Sequence, residues 1–122
     1  MNRCLVVDDS RVMRKIARAI LEELKFDTAE AEDSTAALQY CRVQMPELIL
    51  LDWNLPNASG VEFVRSLRRA PDGRHPVVLF CTTENDMKHI TDALAAGANE
   101  YIMKPFDRGI LESKFAQAGL VA

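Results

Sequence analysis

Several short apolar stretches of this sequence end on side chains that could bind a metal ion or a phosphoryl group. These side chains are Asp8 and Asp9, Asp52, Thr82, and Lys104. Two carboxylates about 4 Å apart repel by about 4 kcal/mol at an effective dielectric constant of about 20, so three gathered in one place require a cation. Hard oxygen ligands without histidine or thiolate favour Mg²⁺. We therefore predict a Mg²⁺ site with Asp9 and Asp52 as ligands and Asp8 acting through a bound water.

Asp52 is the residue best suited to covalent chemistry at such a site. A carboxylate that faces Mg²⁺ can attack phosphorus and form an aspartyl-phosphate. Phosphoryl transfer then requires little beyond alignment and neutralisation of the equatorial oxygens. In this arrangement Mg²⁺ covers one oxygen, the Lys104 ammonium covers a second and the Thr82 hydroxyl covers a third. The residue types therefore predict that Asp52 is a phosphoryl acceptor.

This hypothesis requires a fold that brings the residues to one edge. Leu48–Leu51 is an unbroken apolar run, typical of an interior strand covered on both faces, and Asn54 and Pro56 end it. Similar runs alternate with amphipathic helical patterns. This alternation predicts an α/β fold, a single doubly wound (βα)5 unit with a parallel five-stranded sheet. Parallel strands end at the same edge, and that edge is where such sheets bind ligands.

The boundaries of the elements follow from periodicity and from capping residues. Strands are predicted at Arg3–Val7, Phe26–Ala31, Leu48–Leu51, Val77–Cys81 and Tyr101–Met103. Apolar spacing predicts helices that bear Val12, Met13, Ile16, Ile20, Leu21 and Leu24; Ala37, Leu38 and Cys41; Val61, Phe63, Val64 and Leu67; Met87, Ile90 and Leu94; and Ile110, Leu111 and Phe115. We expect Ser10 and Ser34 to be helix N-caps and Gly97 to end the fourth helix.

Length and composition indicate one globular domain, residues 1–122, without a second module. The chain has 122 residues, of which 48% are hydrophobic and 27% charged. A net charge of -3 gives no footprint for nucleic acid, and the apolar runs are too short to span a bilayer. Cys4, Cys41 and Cys81 form no disulfide framework and are expected to be buried thiols. We expect a cytoplasmic monomer that neither binds nucleic acid nor inserts into membranes.

From Cys4 to about Phe115, the ordered set of residues resembles the receiver domain of two-component response regulators. Asp8-Asp9 resembles the acidic pair, Asp52 the phospho-acceptor, Thr82 the hydroxyl, Tyr101 the switch aromatic, and Lys104-Pro105 the lysine with its following proline. The stretches Asp52-Trp53-Asn54-Leu55-Pro56-Asn57 and Lys104-Pro105-Phe106, without an output domain, are most similar to single-domain chemotaxis regulators of the CheY type. The resemblance implies a flavodoxin-like, CheY-like fold with strand order 2-1-3-4-5.

The resemblance also implies a mechanism and partners. A histidine kinase would donate the phosphoryl group to Asp52, with Mg²⁺ held by Asp9, Asp52 and the backbone carbonyl of Asn54. Thr82 would move toward the phosphate and Tyr101 would turn inward. The face formed by the fourth helix, the fifth strand and the fifth helix would then change its affinity for a target, expected to be the flagellar motor switch.

Three further expectations rest on the same resemblance. The Lys104–Pro105 peptide bond would be cis. Asn54 and Glu84 flank the acceptor where this family sets the lifetime of the phosphoryl group. Thr83 stands where the family usually has a smaller residue, which would narrow access to the phosphate.

Other functions remain open. A phosphate sink or relay shuttle would use the same chemistry to drain a shared kinase. A Mg²⁺-dependent phosphohydrolase with Asp52 as nucleophile is a less favoured alternative, because Asn54 cannot act as a general acid. We therefore expect no enzymatic activity beyond the protein's own phosphorylation and dephosphorylation. A flavodoxin-like cofactor binder is disfavoured because Asp8-Asp9 would repel a phosphate.

Each site residue also has a purely structural interpretation. Asp8 and Asp9 could cap the first helix, and Asp52 could be a turn residue. Thr82 could cap the fourth helix, Lys104 could be a solvated charge at a strand end, and Tyr101 could simply pack in the sheet. Agreement at four strand ends favours function. We expect Trp53 to pack in its loop and both histidines, His75 and His89, to lie on the surface. The basic residues of the first helix predict a solvated face, with kinase docking as the alternative: Arg11, Arg14, Lys15 and Arg18.

Overall fold

The computed structural model describes residues 2–53, 55, 59–82 and 87–119. Within them, strands and helices alternate as the sequence predicts. The strands are β1 (Arg3–Val7), β2 (Asp27–Ala31), β3 (Leu48–Asp52), β4 (Val77–Thr82) and β5 (Glu100–Met103). The helices are α1 (Arg11–Glu23), α2 (Ser34–Val43), α3 (Gly60–Arg69), α4 (Met87–Ala96) and α5 (Arg108–Gln117). None of these helices is both long and apolar enough to cross a membrane.

The strands form one parallel sheet in the order β2-β1-β3-β4-β5. Every residue of β3 is buried, because this strand lies at the centre of the sheet and helices cover both of its faces. The α/β fold and the strand order are those predicted. The direction of the strand order reverses between β1 and β3, and the crevice beyond their carboxyl ends is where such a sheet binds ligands.

Two apolar cores, one on each face of the sheet, hold the helices in place. On one face, α2, α3 and α4 pack around Phe63 and Phe80, which are almost fully buried. On the other face, α1 and α5 pack through Leu21 and Leu111. Complete burial of one such side chain contributes about 1.5–3 kcal/mol. The ends of the strands are therefore held between well-packed elements.

The predicted buried thiols are confirmed. Cys4, Cys41 and Cys81 are all unpaired and at most 5% exposed. Burial raises the pKa of Cys41 to about 11. Thiols of this kind are inert, because the reactive form is the thiolate.

The buried face of α1 is narrower than the sequence predicts. Val12 and Ile16 are 66% and 47% exposed, although both belong to the predicted apolar face. The helix meets the sheet along Ala17 and Leu21, which are one turn apart. The apolar stripe of α1 is therefore wider than the strip that contacts the sheet.

Helices α4 and α5 show the same deviation. Met87 and Leu94 are 70% and 42% exposed, and the buried residues of α4 are Ile90 and Ala93. Ile110 of α5 is 44% exposed. The short side chain of Ala93 faces the core where the sequence pattern predicted the longer Leu94, so apolar spacing alone misplaces the contact.

Several predicted boundaries are wrong by one residue, and two of them have a visible cause. Helix α2 is capped by Asp33, whose Oδ1 accepts a hydrogen bond from the backbone nitrogen of Ala36 at 2.8 Å. Ser34, the predicted cap, is the first helical residue. Strand β2 begins after Phe26, whose ring packs against Phe115 of α5 with 5.3 Å between ring centroids. Packing on the α5 side thus decides the position of Phe26.

Candidate functional site

The parallel sheet brings the candidate residues to its carboxyl-terminal edge. Asp52 and Thr82 are the last residues of β3 and β4, so each of these strands is one residue longer than predicted. Asp8 follows β1 directly, and Lys104 follows β5. The backbone nitrogen of Lys104 donates to the carbonyl oxygen of Thr82 at 2.8 Å, which extends the β4–β5 ladder to the site. Residues far apart in sequence therefore meet at one edge.

Lys104 joins the two buried carboxylates of this edge. Its Nζ lies 2.8 Å from Asp8 Oδ2 and 2.8 Å from Asp52 Oδ1. The side chains of Lys104, Asp8 and Asp52 are 13%, 8% and 12% exposed, so all three charges are largely withdrawn from water. Such charges are tolerated only when they are paired. One ammonium against two carboxylates leaves a negative charge that a further cation would neutralise.

The start of α1 fixes the position of Asp8. Asp8 Oδ1 accepts a hydrogen bond from the backbone nitrogen of Ser10 at 2.9 Å, and Arg14 Nη1 donates to the Asp8 carbonyl oxygen at 2.7 Å. Ser10 is the N-cap of α1, as predicted, because its Oγ accepts from the backbone nitrogen of Met13 at 3.3 Å. The capping role considered for Asp8 therefore belongs to Ser10, and Asp8 faces Lys104.

The backbone around Asp52 is held by its neighbours. The nitrogen of Trp53 donates to the carbonyl oxygen of Cys81 at 2.9 Å, and the nitrogen of Gly60 donates to the carbonyl oxygen of Trp53 at 3.3 Å. A Cβ atom on Gly60 would lie 3.1 Å from both the Asp52 carbonyl oxygen and the Phe80 ring. Glycine at position 60 thus lets α3 begin close against the acceptor strand.

The pKa values of Asp52 and Lys104 are both raised in this site. Burial raises the pKa of the Asp52 carboxyl above its usual value; the Lys104 ammonium opposes this shift, and the charges of Asp8 and Asp9 add to it. Burial by itself lowers the pKa of Lys104, but the hydrogen bonds to Asp52 and Asp8 outweigh it, so the pKa of Lys104 lies above its usual value. Lys104 is therefore a permanent positive charge beside Asp52 at neutral pH.

Asp8, Asp9 and Asp52 form a candidate metal centre. Each offers one carboxylate oxygen, and these oxygens all lie within 4.8 Å of one another. Asp8 and Asp52 are buried, whereas Asp9 is exposed, so an ion could keep waters on the side of Asp9. Mg²⁺ prefers such a set of one or two carboxylates completed by water. The residues fit the predicted ion. The individual roles, Asp9 and Asp52 as ligands and Asp8 acting through a bound water, stay predictions from the sequence.

Comparisons with known proteins agree on the family. The model of the response regulator receiver domain matches residues 4–116. Chemotaxis protein CheY of Pseudomonas aeruginosa is 36% identical over 113 residues, which cover 92% of this chain and 91% of that protein. Chemotaxis protein CheY-3 of Vibrio cholerae is 34% identical, with 92% and 87% covered. The phosphate regulon transcriptional regulatory protein PhoB of Escherichia coli is 38% identical, with 85% of this chain and 45% of PhoB covered.

The chain belongs to the response regulator receiver family. The structure of the chemotaxis response regulator CheY4 of Vibrio cholerae superimposes with a TM-score of 0.90 at 27% identity, covering 97% of this chain and 98% of the other. Receiver domains take phosphoryl groups from histidine kinases and generally use Mg²⁺ at an acidic pocket. In this receiver domain, the acidic pocket is the cluster of Asp8, Asp9 and Asp52.

The two predicted switch residues lie on neighbouring strands. Thr82 is 1% exposed at the end of β4. Tyr101 lies on β5 in register with Phe80 of β4 and is partly buried. The Nζ of Lys114, on α5, lies 4.0 Å from the centroid of the Tyr101 ring, a distance at which a cation is attracted to the ring face. The peptide bond between Lys104 and Pro105 is cis.

Three predicted residues, Asn54, Thr83 and Glu84, lie outside the described part of the receiver domain. The backbone ligand and the lifetime-setting roles assigned to them therefore stay predictions from the sequence.

The structure shows an aromatic contact that the sequence did not predict. Trp53 follows Asp52 and packs edge-on against Phe80 with ring centroids 5.1 Å apart. Its other neighbour is His89 of α4, with ring centroids 4.3 Å apart and an interplanar angle of 32°. Loop packing of Trp53 was predicted; His89, predicted to lie on the surface, is partly buried where its ring meets that of Trp53. The sequence offered one signal for the contact between Trp53 and Phe80, because these aromatic residues lie near the ends of two strands, β3 and β4, that are adjacent in the sheet.

The basic face of α1 is also only partly solvated. Arg14 Nε lies 2.6 Å from Glu30 Oε1, and Arg18 binds the other oxygen of the same carboxylate. Two of the four basic residues on α1 are thus engaged with β2. Arg11 and Lys15 are exposed, as predicted.

Proposed function

We propose that this receiver domain accepts a phosphoryl group on Asp52 from a histidine kinase, with Mg²⁺, and signals in chemotaxis through phosphorylation-dependent binding to the flagellar motor switch. The observation that carries the proposal is the contact of one ammonium, Lys104 Nζ, with Asp8 and Asp52, beside a third carboxylate. A buried carboxylate held next to a permanent cation is suited to attack an anionic phosphoryl group, because the cation offsets the repulsion between them.

The transfer is a substitution at phosphorus. An oxygen of the Asp52 carboxylate forms the new O–P bond while the P–N bond to the donor histidine breaks, and the released imidazole takes up a proton. Bound Mg²⁺ would supply charge neutralisation for one phosphoryl oxygen. Lys104 would exchange its hydrogen bond with Asp52 for one with a second phosphoryl oxygen. Thr82, at the end of the adjacent strand, is the hydroxyl donor proposed for the third.

The output is proposed to run through β5. Recruitment of Thr82 to the phosphate would withdraw its side chain from the space next to β5, and Tyr101 would turn into that space. The Tyr101 ring would then leave the ammonium of Lys114, which it contacts at 4.0 Å in this state. A charge event at Asp52 is thereby converted into a packing change on the face formed by α4, β5 and α5.

Chemotaxis is the output that the relatives support. The two CheY relatives match this chain over 91% and 87% of their own lengths, whereas PhoB matches over 45% of its length. We propose that the only reactions catalysed are the domain's own phosphorylation and dephosphorylation.

Binding to an immobilised motor-switch peptide tests this proposal against a phosphate sink. Surface plasmon resonance would compare the protein with and without beryllofluoride, which mimics the phosphoryl group, and the matched control is Asp52→Asn. We expect about tenfold tighter binding with beryllofluoride for the natural sequence and no change for the variant. Unchanged affinity in both would assign the sink function and reject the motor target.

A further inference from the structure

Arg14 of α1 joins the acidic pocket to the neighbouring strand β2. Its Nη1 donates to the carbonyl oxygen of Asp8 at 2.7 Å, and its Nε lies 2.6 Å from Oε1 of Glu30. Arg18, one turn later on the same helix, binds the other oxygen of that carboxylate. The side chain of Arg14 is 13% exposed and that of Arg18 is 37% exposed, so Arg14 is the more enclosed of the two arginines.

The carbonyl oxygen that Arg14 binds belongs to the peptide group between the two acids Asp8 and Asp9. The backbone nitrogen of Asp8 donates to the carbonyl oxygen of Ala31 at 3.1 Å, so the other side of Asp8 is held by β2. With both its nitrogen and its carbonyl oxygen bonded, the backbone of Asp8 has little freedom to rotate. Because a peptide group is planar, a bond to its oxygen also fixes the direction in which the chain continues to Asp9.

Asp9 depends on this support more than the other two acids of the pocket. The Asp8 carboxylate is bonded to Lys104 and to the backbone nitrogen of Ser10. The Asp52 carboxylate is bonded to the same lysine. The Asp9 carboxylate is exposed, and among the residues that the structure describes no hydrogen bond or ion pair holds it. Its position is therefore set by the backbone that carries it.

Glu30 keeps the guanidinium of Arg14 in place. Hydrogen bonds from Arg18 and Arg14 hold the pKa of Glu30 below its usual value, so this carboxylate is ionised at neutral pH. Its negative charge offsets the positive charge that Arg14 brings close to the acidic pocket. An unpaired guanidinium at this place would repel a metal ion, whereas the paired one supplies a hydrogen bond to Asp8 with less repulsion.

We propose that Arg14 is a positioning residue for the Mg²⁺ site, which it supports through the peptide group between Asp8 and Asp9, with Glu30 as its anchor. The proposal rests on the function proposed for Asp52, because it requires Mg²⁺ to bind at the acidic pocket. Loss of a group that orients a metal ligand typically weakens metal binding by about 10- to 100-fold. Arg14 bonds the backbone beside a predicted ligand, so we expect the lower end of that range.

A matched pair of arginine variants tests the proposal. Arg14→Met and Arg18→Met each remove one positive charge from α1 and one bond to Glu30, but only Arg14→Met loses the bond to Asp8. Isothermal titration calorimetry measures the Mg²⁺ dissociation constant of each variant and of the natural sequence. We expect Arg14→Met to raise this constant by about tenfold. Arg18→Met should change it by less than about twofold, because the charge of this exposed residue is screened.

The direction of the change separates positioning from simple electrostatics. Removal of a positive charge near the acidic pocket should by itself tighten Mg²⁺ binding, whereas loss of a positioning bond should weaken it. Urea denaturation in metal-free buffer measures the stability that each variant loses, which a purely structural role of Arg14 would change without changing the dissociation constant. In metal-free NMR spectra the amide signal of Asp9 should move in Arg14→Met and stay in place in Arg18→Met.

A second variant removes the anchor and leaves Arg14 in place. Glu30→Ala should raise the Mg²⁺ dissociation constant by at least about threefold, because the guanidinium is then neither held nor neutralised. This variant tests the same proposal if Arg14→Met does not fold.

Four results would overturn the proposal. They are unchanged or tighter Mg²⁺ binding by Arg14→Met, equal weakening by the two arginine variants, an unmoved Asp9 signal in Arg14→Met, and unchanged Mg²⁺ binding by Glu30→Ala. Absence of Mg²⁺ binding by the natural sequence would be a different failure, because it would reject the function proposed for Asp52 together with this proposal.

Discussion

The ammonium of Lys104 lies 2.8 Å from the carboxylate of Asp52, and the same ammonium bonds Asp8 at an equal distance. The unphosphorylated site is therefore already partly neutralised, and Lys104 has two bonds to redistribute when a phosphoryl group arrives. Since Lys104 follows β5 directly, a change in its partners is passed to the strand that carries Tyr101. This connection makes Lys104 the first target for mutation.

Replacement of Lys104 by alanine should lower stability and abolish signalling but leave Mg²⁺ binding intact. Loss of the ammonium leaves two buried carboxylates unpaired, so we expect the free energy of unfolding to fall by about 3–5 kcal/mol in metal-free buffer. Mg²⁺ should still bind and should restore part of the loss. Urea denaturation with and without Mg²⁺ measures both effects, and Lys15→Ala, at an exposed position on α1, is the control. Full retention of phosphorylation-dependent partner binding in Lys104→Ala would contradict the role assigned to Lys104.

The hydroxyl of Thr82 can be tested by a conservative pair. Thr82→Ala should still incorporate phosphate from acetyl phosphate but should lose most of the gain in partner affinity, because no hydroxyl is drawn toward the phosphoryl oxygen. Thr82→Ser keeps the hydroxyl and should keep most of the gain. Binding to motor-switch peptide after phosphorylation separates the two variants. Equal gains in both would show that the hydroxyl is not part of the switch.

Arg68 clamps the loops at the amino-terminal edge of the sheet. Its Nε and Nη2 donate to the Gly97 carbonyl oxygen at 3.1 and 2.9 Å, and its Nη1 donates to the carbonyl oxygens of Gly73 and Pro76. Arg68→Ala should lower the free energy of unfolding by about 2–4 kcal/mol, because hydrogen bonds from a charged group are lost and acceptors are left without a donor.

The control for Arg68 is the adjacent exposed residue. Arg69→Ala should change stability by no more than about 0.5 kcal/mol. Urea denaturation compares the two variants with the natural sequence. Equal stability of both variants would mean that the clamp contributes nothing.

Glu30 gives a prediction for pH. Hydrogen bonds from Arg18 and Arg14 hold the pKa of Glu30 below its usual value. A carboxyl whose pKa is lowered by folding contributes stability above its unfolded pKa, about 4.3 for glutamate, and the contribution is lost as the pH falls through the folded pKa. Glu30→Gln should cost about 0.5–1 kcal/mol near neutral pH, and the difference should vanish in acid. Urea melts at several pH values measure the difference in stability between Glu30→Gln and the natural sequence, with exposed Glu32→Gln as control. A difference that grew in acid would contradict a lowered pKa for Glu30.

The sequence predicted the fold and the gathering of the site because both follow from local patterns. Unbroken apolar runs that end in Asp52 and Thr82 indicate buried parallel strands, and parallelism then places those residues at one edge. The sequence also indicated that Lys104 belongs to this edge. It could not show that one ammonium contacts both Asp8 and Asp52, because this contact depends on how far β1, β3 and β5 each extend toward the carboxyl-terminal edge of the sheet.

The remaining features depend on packing between elements distant in sequence. The contact of Trp53 with His89 requires the start of α4 to lie next to Trp53, and no periodicity in the sequence encodes that distance. The bonds of Arg14 to Glu30 likewise depend on how α1 crosses β2. The exposure of Val12 shows that apolar spacing identifies a helix but not the width of the face that it buries.

Intact-mass spectrometry after incubation with acetyl phosphate and Mg²⁺ tests the central claim most directly. We predict a base-labile addition of one phosphoryl group to the natural sequence and none to Asp52→Asn, while Asp33→Asn, at the cap of α2, labels normally. Labelling of Asp52→Asn at the stoichiometry of the natural sequence would contradict the assignment of Asp52 as the acceptor.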